Sequence, residues 1–215
     1  MTRLAFEKSG FTEEEWRKLK RLSTPKKIQD FLNSIPFNLE KSGETNNSVR
    51  ETLKVRRAHC FEAALLAASA LWIQGKKPLI LDLKTVRPDF DHVVALFKEG
   101  DYWGAISKTN HSVLRYRDPI YKSVRELAMS YFHEYFLTTG KKTLRSFSKP
   151  FDLSKHGTIH AGSGASWLTS DVDQADLAFE LDESPHFKIL SPQQLRNLRK
   201  ADKIEIKASE ITEFK

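Results

Sequence analysis

The chain has 215 residues, of which 40% are hydrophobic and 11% aromatic, so it is long enough for one packed domain with an extension. Its single cysteine excludes both an intramolecular disulfide bond and a cysteine-rich zinc site. The net charge of +7 is spread along the chain without a recognised nucleic-acid-binding motif, so a nucleic-acid partner is not expected.

Two helices with clear start signals are predicted near the amino terminus. Thr12 is a good N-cap, and Glu15 stands three residues later as its capping-box partner. Thr24 is the N-cap of a second helix, which Pro36 ends. The polar stretch at 38–52 has no periodicity and several Gly, Asn and Ser residues, so it predicts a loop.

The most apolar segment of the chain lies in "RRAHCFEAALLAASALWIQGKK" at 56–77 and predicts a buried helix. From Ala63 to Ile73 every residue except Ser69 is apolar, which is too uniform for a helix with one solvent face. Gly75 provides a stop signal after the segment. Cys60 therefore lies in the first turn of a helix that is buried on most sides.

Short β runs follow this helix, at 78–84, 92–98 and 102–107. The last two flank Glu99 and Gly100 and predict a hairpin. If these two residues form the turn, the register pairs His92 with Ser107. The sequence thus predicts that Ser107 faces His92.

A long amphipathic helix is predicted after the hairpin. Asp118 is its expected N-cap, Pro119 its first residue, and the apolar face continues until Gly140. The succession of helices, an antiparallel hairpin and a further helix predicts an α+β fold. We expect a central buried helix packed on an antiparallel sheet, with flanking helices.

Signals weaken after residue 150, apart from a short basic helix that begins at Ser191 and Pro192. The expected organisation is therefore one domain over residues 1–150, including the amino-terminal helices, and an extension over residues 151–215 packed on that domain. No run approaches the ~18–20 apolar residues of a membrane span, and the amino terminus lacks the apolar core of a signal peptide. The sequence predicts a cytoplasmic protein without a membrane partner.

The position of Cys60 favours a reactive thiol. The thiolate is the nucleophilic form, and the positive end of a helix stabilises it. His59 is adjacent, but neighbouring residues on a helix point about 100° apart, so it is not the expected base. His92 is the better candidate, because it opens an apolar strand with its side chain on the interior face and needs a partner there.

The third member of the site has two candidates. Ser107 is opposite His92 in the predicted register, where a residue that orients the imidazole is needed. Asn110 follows three residues later, at the end of the strand, and can play the same part as the asparagine of Cys, His, Asn sites.

These stretches resemble a known family. Cys60 at the start of a buried helix, then "DHVVALF" and "DYWGAIS", resemble the core of the transglutaminase-like superfamily, a circularly permuted branch of the papain-like fold. "TPKKIQDFLNSIPFN" is similar to the lead-in of bacterial members, and the resemblance covers about residues 22–110. It implies a papain-like core with Cys60 as nucleophile and His92 as general base and acid.

One position departs from the family pattern. The family usually has an aspartate four residues after the aromatic position matched by Trp103, and this chain has Ser107 there. A serine can accept the hydrogen bond of the imidazole but brings no negative charge.

The expected function is a cysteine peptidase, amidase or transglutaminase-like acyl transferase that acts on a protein or peptide substrate. The alternative is a catalytically inactive binding or scaffold protein of the same fold. No cofactor or metal is expected, because His156 and His160 stand in a glycine-containing loop and "GSG" at 162–164 lacks the context of a phosphate loop.

Overall fold

A computed structural model describes residues 3–41, 43–156 and 166–213. In these ranges the helices are α1 (Phe6–Ser9), α2 (Glu13–Arg21), α3 (Pro25–Ser34), α4 (Val49–Val55), α5 (Cys60–Ile73), α6 (Val124–Ser130), α7 (Ala175–Asp182), α8 (Pro192–Arg196) and α9 (Lys203–Ser209). The strands are β1 (Leu79–Lys84), β2 (His92–Glu99), β3 (Tyr102–Ile106), β4 (Arg117–Tyr121), β5 (Ser146–Ser148), β6 (Phe151–Asp152) and β7 (His186–Lys188). The fold is α+β, as the sequence predicts.

The strands form one antiparallel sheet in the order β4-β3-β2-β1-β5-β7, with β6 paired to β1. Side chains alternate between its two faces, so the sheet separates two apolar clusters. Val93 and Ala95 pack with α5 on one face, whereas Val94 and Leu96 pack with α6 on the other. The sheet is thus covered on both faces where β2 crosses it.

The predicted buried helix is confirmed as α5. It begins at Cys60, ends before Gly75, and packs against β1 and β2. Gly75 has φ +85°, a left-handed conformation that glycine adopts without the steric cost of a side chain. The middle residues of α5, Ala63 to Leu71, have at most 2% of their surface exposed.

The two predicted amino-terminal helices are also confirmed, as α2 and α3. The capping box of Thr12 and Glu15 forms, and Thr24 accepts a hydrogen bond from the backbone of the first turn of α3. The loop predicted at 38–52 is wrong in its second part, because α4 begins there. Ser48 caps α4 by accepting a hydrogen bond from the Glu51 N–H. Serine is a common N-cap, but among several neighbouring polar residues it did not stand out in the sequence.

The long helix predicted to begin at Asp118 is wrong. Asp118 and Pro119 lie in β4, and the helix is the shorter α6 with Ser123 as its N-cap. β4 is an edge strand, where proline is tolerated because one side of its backbone needs no ladder hydrogen bond. The apolar residues that suggested one long helix therefore lie in three elements, a strand, a helix and a 3₁₀ turn.

The register predicted for the β2–β3 hairpin is wrong by two residues. Glu99 pairs with Tyr102, so Gly100 and Asp101 form the two-residue turn, and Gly100 has φ +57°. A shift of two keeps every side chain on its predicted face. Residues 92 and 107 therefore do not pair as backbone neighbours in the sheet. Their side chains nevertheless meet near the ends of β2 and β3.

Both sides of residue 150 contribute to the same sheet. β6 and β7 follow that position and pair with β1 and β5, respectively. Trp167 and Leu168 are buried in the same apolar cluster as α5. Within the described ranges, no helix combines the length and apolar character that crossing a membrane requires.

Candidate active site

Cys60 opens into a cleft at the start of α5. Its side chain is partly exposed, and the cleft has a volume of about 630 Å³. His59 and His92 line the same cleft. The thiol therefore combines access from solvent with a place at the positive end of a 14-residue helix.

His92 forms a hydrogen bond with Ser107. His92 is the first residue of β2 and only 5% exposed, and its Nε2 lies 2.7 Å from Ser107 Oγ. The Ser107 hydroxyl donates its own proton to the Leu114 carbonyl, so it accepts from the Nε2–H of His92. This tautomer leaves Nδ1 as the nitrogen that can take a proton from the thiol.

The predicted contact between His92 and Ser107 is thus present, although the register that suggested it is not. Asn110, the other candidate, is buried in the cleft wall, and its backbone carbonyl accepts from the Glu213 N–H at 2.9 Å. The hydrogen bond of His92 Nε2 goes to Ser107. Cys60, His92 and Ser107 are therefore connected by hydrogen bonds in that order, and Ser107 is the third member of the site.

Gln29 holds Ser107 in place, although no sequence pattern indicates a functional role for it. Its side-chain oxygen accepts from the Ser107 N–H at 3.0 Å, and its side-chain nitrogen donates to the Ser107 carbonyl at 2.8 Å. Gln29 lies on α3 and is 8% exposed. The sequence shows only a glutamine on the apolar face of an amphipathic helix, and this pattern does not identify Ser107 as its hydrogen-bond partner.

Two imidazoles hold the pKa of the Cys60 thiol well below its ordinary value. Burial is the largest single influence and raises this pKa, because it disfavours the charged thiolate. Hydrogen bonds from His59 and His92, and the positive charge of both rings, together outweigh burial. The site consequently favours the thiolate, which is the nucleophilic form, more than an ordinary cysteine does.

His59 reaches the thiol despite being its neighbour in sequence. The expected separation of about 100° applies to two residues that are both helical. His59 is instead the N-cap of α5, with an extended backbone at φ −90° and ψ −172°. Its ring therefore turns back over the first turn of the helix, so the helical separation does not keep it from hydrogen-bonding Cys60.

Glu62 ties the loop before α4 to the start of α5. Its side chain is fully buried and accepts from His59 N at 3.0 Å, Thr45 Oγ1 at 3.0 Å, Asn47 N at 3.1 Å and Asn38 Nδ2 at 3.3 Å. These donors satisfy a buried carboxylate that would otherwise be costly. They also fix the loop that forms one side of the cleft.

Apolar side chains form much of the cleft wall: Phe37, Leu39, Phe90, Val113, Leu114, Phe136 and Leu137. Phe90 is 76% exposed although it is a large apolar residue. Tyr135 also lines the cleft, and its buried hydroxyl has no hydrogen-bond partner among the residues that the structure describes. The pKa of Tyr135 lies well above its ordinary value, mainly through burial and then through the negative charge of Cys60.

Three carboxylates could hold a metal ion elsewhere on the sheet. Ligand oxygens of Asp82, Asp91 and Asp182 lie within 4.8 Å of one another. Lys84 Nζ is 2.7 Å from Asp182 Oδ1, and His186 Nε2 is 3.0 Å from Asp82 Oδ2, so cations of the chain already neutralise part of this charge.

His160 and the "GSG" stretch at 162–164 lie outside the described residues.

No model of a known protein family matches the chain, and no curated protein matches it. The functional assignment therefore rests on the geometry and chemistry of the cleft.

Proposed function

We propose that the chain is a thiol-dependent enzyme that acts on an amide or related acyl bond of a protein or peptide, with Cys60 as nucleophile and His92 as general base and acid. The observation that carries this proposal is the connected series of Cys60, His92 and Ser107: Cys60 and His92 line one cleft, and His92 Nε2 lies 2.7 Å from the buried Ser107 Oγ. A nucleophile, a base and a group that orients the base are what covalent acyl transfer requires.

The chemistry follows from these positions. The Cys60 thiolate attacks the carbonyl carbon, and a C–S bond forms as the carbonyl π electrons move to oxygen. When the tetrahedral intermediate collapses, the C–N bond breaks and the His92 imidazolium gives its proton to the leaving amine. Water or a second amine then attacks the thioester and loses a proton to His92, and the C–S bond breaks to regenerate the thiolate.

The hydroxyl of Ser107 supports this role without a charge. Because it donates to the Leu114 carbonyl, its lone pairs are directed to the Nε2–H of His92. It orients the ring and fixes the tautomer, as the carboxylate of other triads does. It does not supply the negative charge that stabilises an imidazolium. The proposal also draws on the resemblance of the sequence to the transglutaminase-like superfamily, in which the nucleophile would begin a buried helix as Cys60 does.

The neutral Ser107 hydroxyl favours one alternative, a catalytically inactive binding or scaffold protein of the same fold. In that case the cleft binds its partner, and no acyl group is transferred to the thiol. The two functions differ in one observable, a covalent acyl intermediate at Cys60.

We therefore expect a burst of nitrophenol, stoichiometric with the protein, when p-nitrophenyl acetate is added. Mass spectrometry should locate the acetyl group on Cys60, and the Cys60→Ser variant should show no burst. Iodoacetamide alkylation of Cys60 should also show an inflection well below the pH of about 8.5 at which a free cysteine titrates. A thiol that titrates as a free cysteine and forms no acyl adduct would support the binding protein instead.

A further inference from the structure

We propose that His59 is a second functional imidazole of this site, a positioning residue that holds positive charge against the Cys60 sulfur while His92 moves the proton. The proposal rests on the proposed function, because it assigns a role in activating the same thiol. It starts from the geometry of the His59 ring, which is 12% exposed and lies between the loop before α4 and the first turn of α5.

The hydrogen bond of His59 to Thr45 fixes which nitrogen titrates. His59 Nε2 lies 2.6 Å from the Thr45 carbonyl oxygen. A carbonyl only accepts hydrogen bonds, so Nε2 keeps its proton in both charge states of the ring. Nδ1 is therefore the nitrogen that gains or loses a proton, and it lies on the side of the α5 first turn.

Nδ1 has two mutually exclusive contacts. When it is unprotonated, it accepts from the Phe61 N–H at 3.3 Å and caps the helix. When it is protonated, it can only donate. The His59 side chain hydrogen-bonds Cys60, and because Nε2 is committed to the Thr45 carbonyl, we assign the donor of this bond to Nδ1. The charge of His59 and the charge of Cys60 are therefore coupled, because the thiolate favours the protonated ring.

The balance of influences favours the charged ring. Burial is the largest influence and lowers the pKa of His59, but the Cys60 hydrogen bond, the charges of Cys60 and Glu62 and the Thr45 carbonyl together raise it to about 9. At neutral pH His59 is then an imidazolium. A cation held in this way stabilises the thiolate without leaving its position.

Charged and titratable groups face this pair from each element around it. On α5, Glu62 Oε1 lies 3.7 Å from His59 Nε2, and in the preceding loop Glu40 Oε1 lies 3.8 Å away. His92 faces the sulfur from β2, and Tyr135 adds an uncharged hydroxyl after α6. The more distant charged or titratable groups of the cleft are Asp89, Asp91, Lys108, His111, Glu134 and Glu210.

The coupling between His59 and the sulfur has a consequence for turnover. Acylation removes the charge of the sulfur and with it the main attraction that raises the pKa of His59, whereas the charge of Glu62 and the Thr45 carbonyl still act on the ring. As the C–S bond of the thioester breaks, negative charge returns to the sulfur and favours the protonated form of His59 again. The imidazolium then stabilises the thiolate that is released.

The decisive variant is His59→Asn. Asparagine is a favourable N-cap and keeps an acceptor for the backbone of the first turn, but it carries no charge. We expect Cys60 of this variant to react with iodoacetamide about tenfold more slowly near pH 6, with the inflection moved to higher pH. The urea midpoint of unfolding should change little. The matched control is Thr24→Ala, which removes the cap of α3 and should lower the midpoint without moving the inflection.

If His59→Asn does not fold, the same coupling can be tested by changing Cys60 and following the titration of the His59 ring. In the wild-type protein, the NMR titration of the His59 ring should lie above the ordinary histidine range. In Cys60→Ser it should fall toward that range, because coupling between two sites is reciprocal.

Two results would overturn the role of His59: an unchanged thiol inflection in a folded His59→Asn, or the same His59 titration in wild type and Cys60→Ser. If the wild-type thiol itself titrates as a free cysteine and forms no acyl adduct, the proposed function fails as well, and the two failures are thereby distinguished.

Discussion

Two imidazole pairs lie on the same sheet and use different partners. His92, at the start of β2, is paired with the neutral hydroxyl of Ser107 at 2.7 Å. His186, at the start of β7, is paired with the carboxylate of Asp82 at 3.0 Å. Only the first pair faces the thiol.

Both partners orient an imidazole, but of the two only the Asp82 carboxylate also places a negative charge beside it. The Asp82 hydrogen bond is the main cause of the raised pKa of His186, so this contact favours the charged form of the ring and connects β7 to β1. Ser107 directs the ring of His92 without such a charge. Orientation without a neighbouring charge suits a group that must both take and give a proton.

Removal of each imidazole should produce the largest contrast. We expect His92→Asn to slow acylation by p-nitrophenyl acetate at least about 100-fold, because the general base and acid is lost. His186→Asn should leave this rate unchanged, because its ring is bonded to Asp82 and the backbone of Ser184. Stopped-flow measurement of the nitrophenol burst tests both. Equal losses in the two variants would mean that the rate reports the integrity of the sheet and not the chemistry of His92.

Loss of the neutral partner should have a smaller effect. Ser107→Ala leaves the buried Nε2–H of His92 without its acceptor, and we expect acylation about tenfold slower, or ~1.4 kcal/mol. Asn110→Ala is the matched control, because it changes a side chain of the same cleft wall. We expect the control to keep the wild-type rate. The opposite pattern, a silent Ser107→Ala and an inactive Asn110→Ala, would assign the third position to Asn110.

The sequence predicted the elements that bring this site together more reliably than their pairing. α5 and β1 to β3 follow from apolar patterns and stop signals that are strong over short distances. The hairpin register depended on which two residues form the turn, and Gly100 can occupy either turn position. The contact between His92 and Ser107 survived this error because a shift of two residues preserves the face of the sheet.

The long-range contacts could not be predicted in the same way. Gln29 and Ser107 are 78 residues apart, and no local pattern relates them. The orientation of His59 depends on a carbonyl in the preceding loop, which the sequence identifies only as polar. Asp118 and Pro119 are a frequent helix start, and only their place on an edge strand overrides that preference.

The pair on β7 should be visible as a small pH dependence of stability. The pKa of His186 is raised from an ordinary value near 6.5, so the folded chain holds this proton more tightly than the unfolded chain. Its contribution is fully present below that ordinary value and is lost as the pH rises through the folded value.

Urea unfolding of wild type and His186→Asn, compared between about pH 6 and pH 9, isolates the contribution of this group. We expect the advantage of the wild type to shrink with rising pH, by up to about 1 kcal/mol. A constant difference across this range would show that the hydrogen bond to Asp82 is insensitive to the charge of the ring. The thiol pair is common to both proteins and cancels in the comparison.

The two hydrogen bonds between Gln29 and the Ser107 backbone connect reactivity to the completion of folding. α3 precedes β3 in the chain by about 70 residues, so these two bonds form only when the two elements have packed together. Until then Ser107 does not orient His92, and Cys60 lacks one of the two imidazoles that lower its pKa. The thiolate fraction, and with it the sensitivity of Cys60 to oxidation, should therefore be smaller before α3 and β3 have packed.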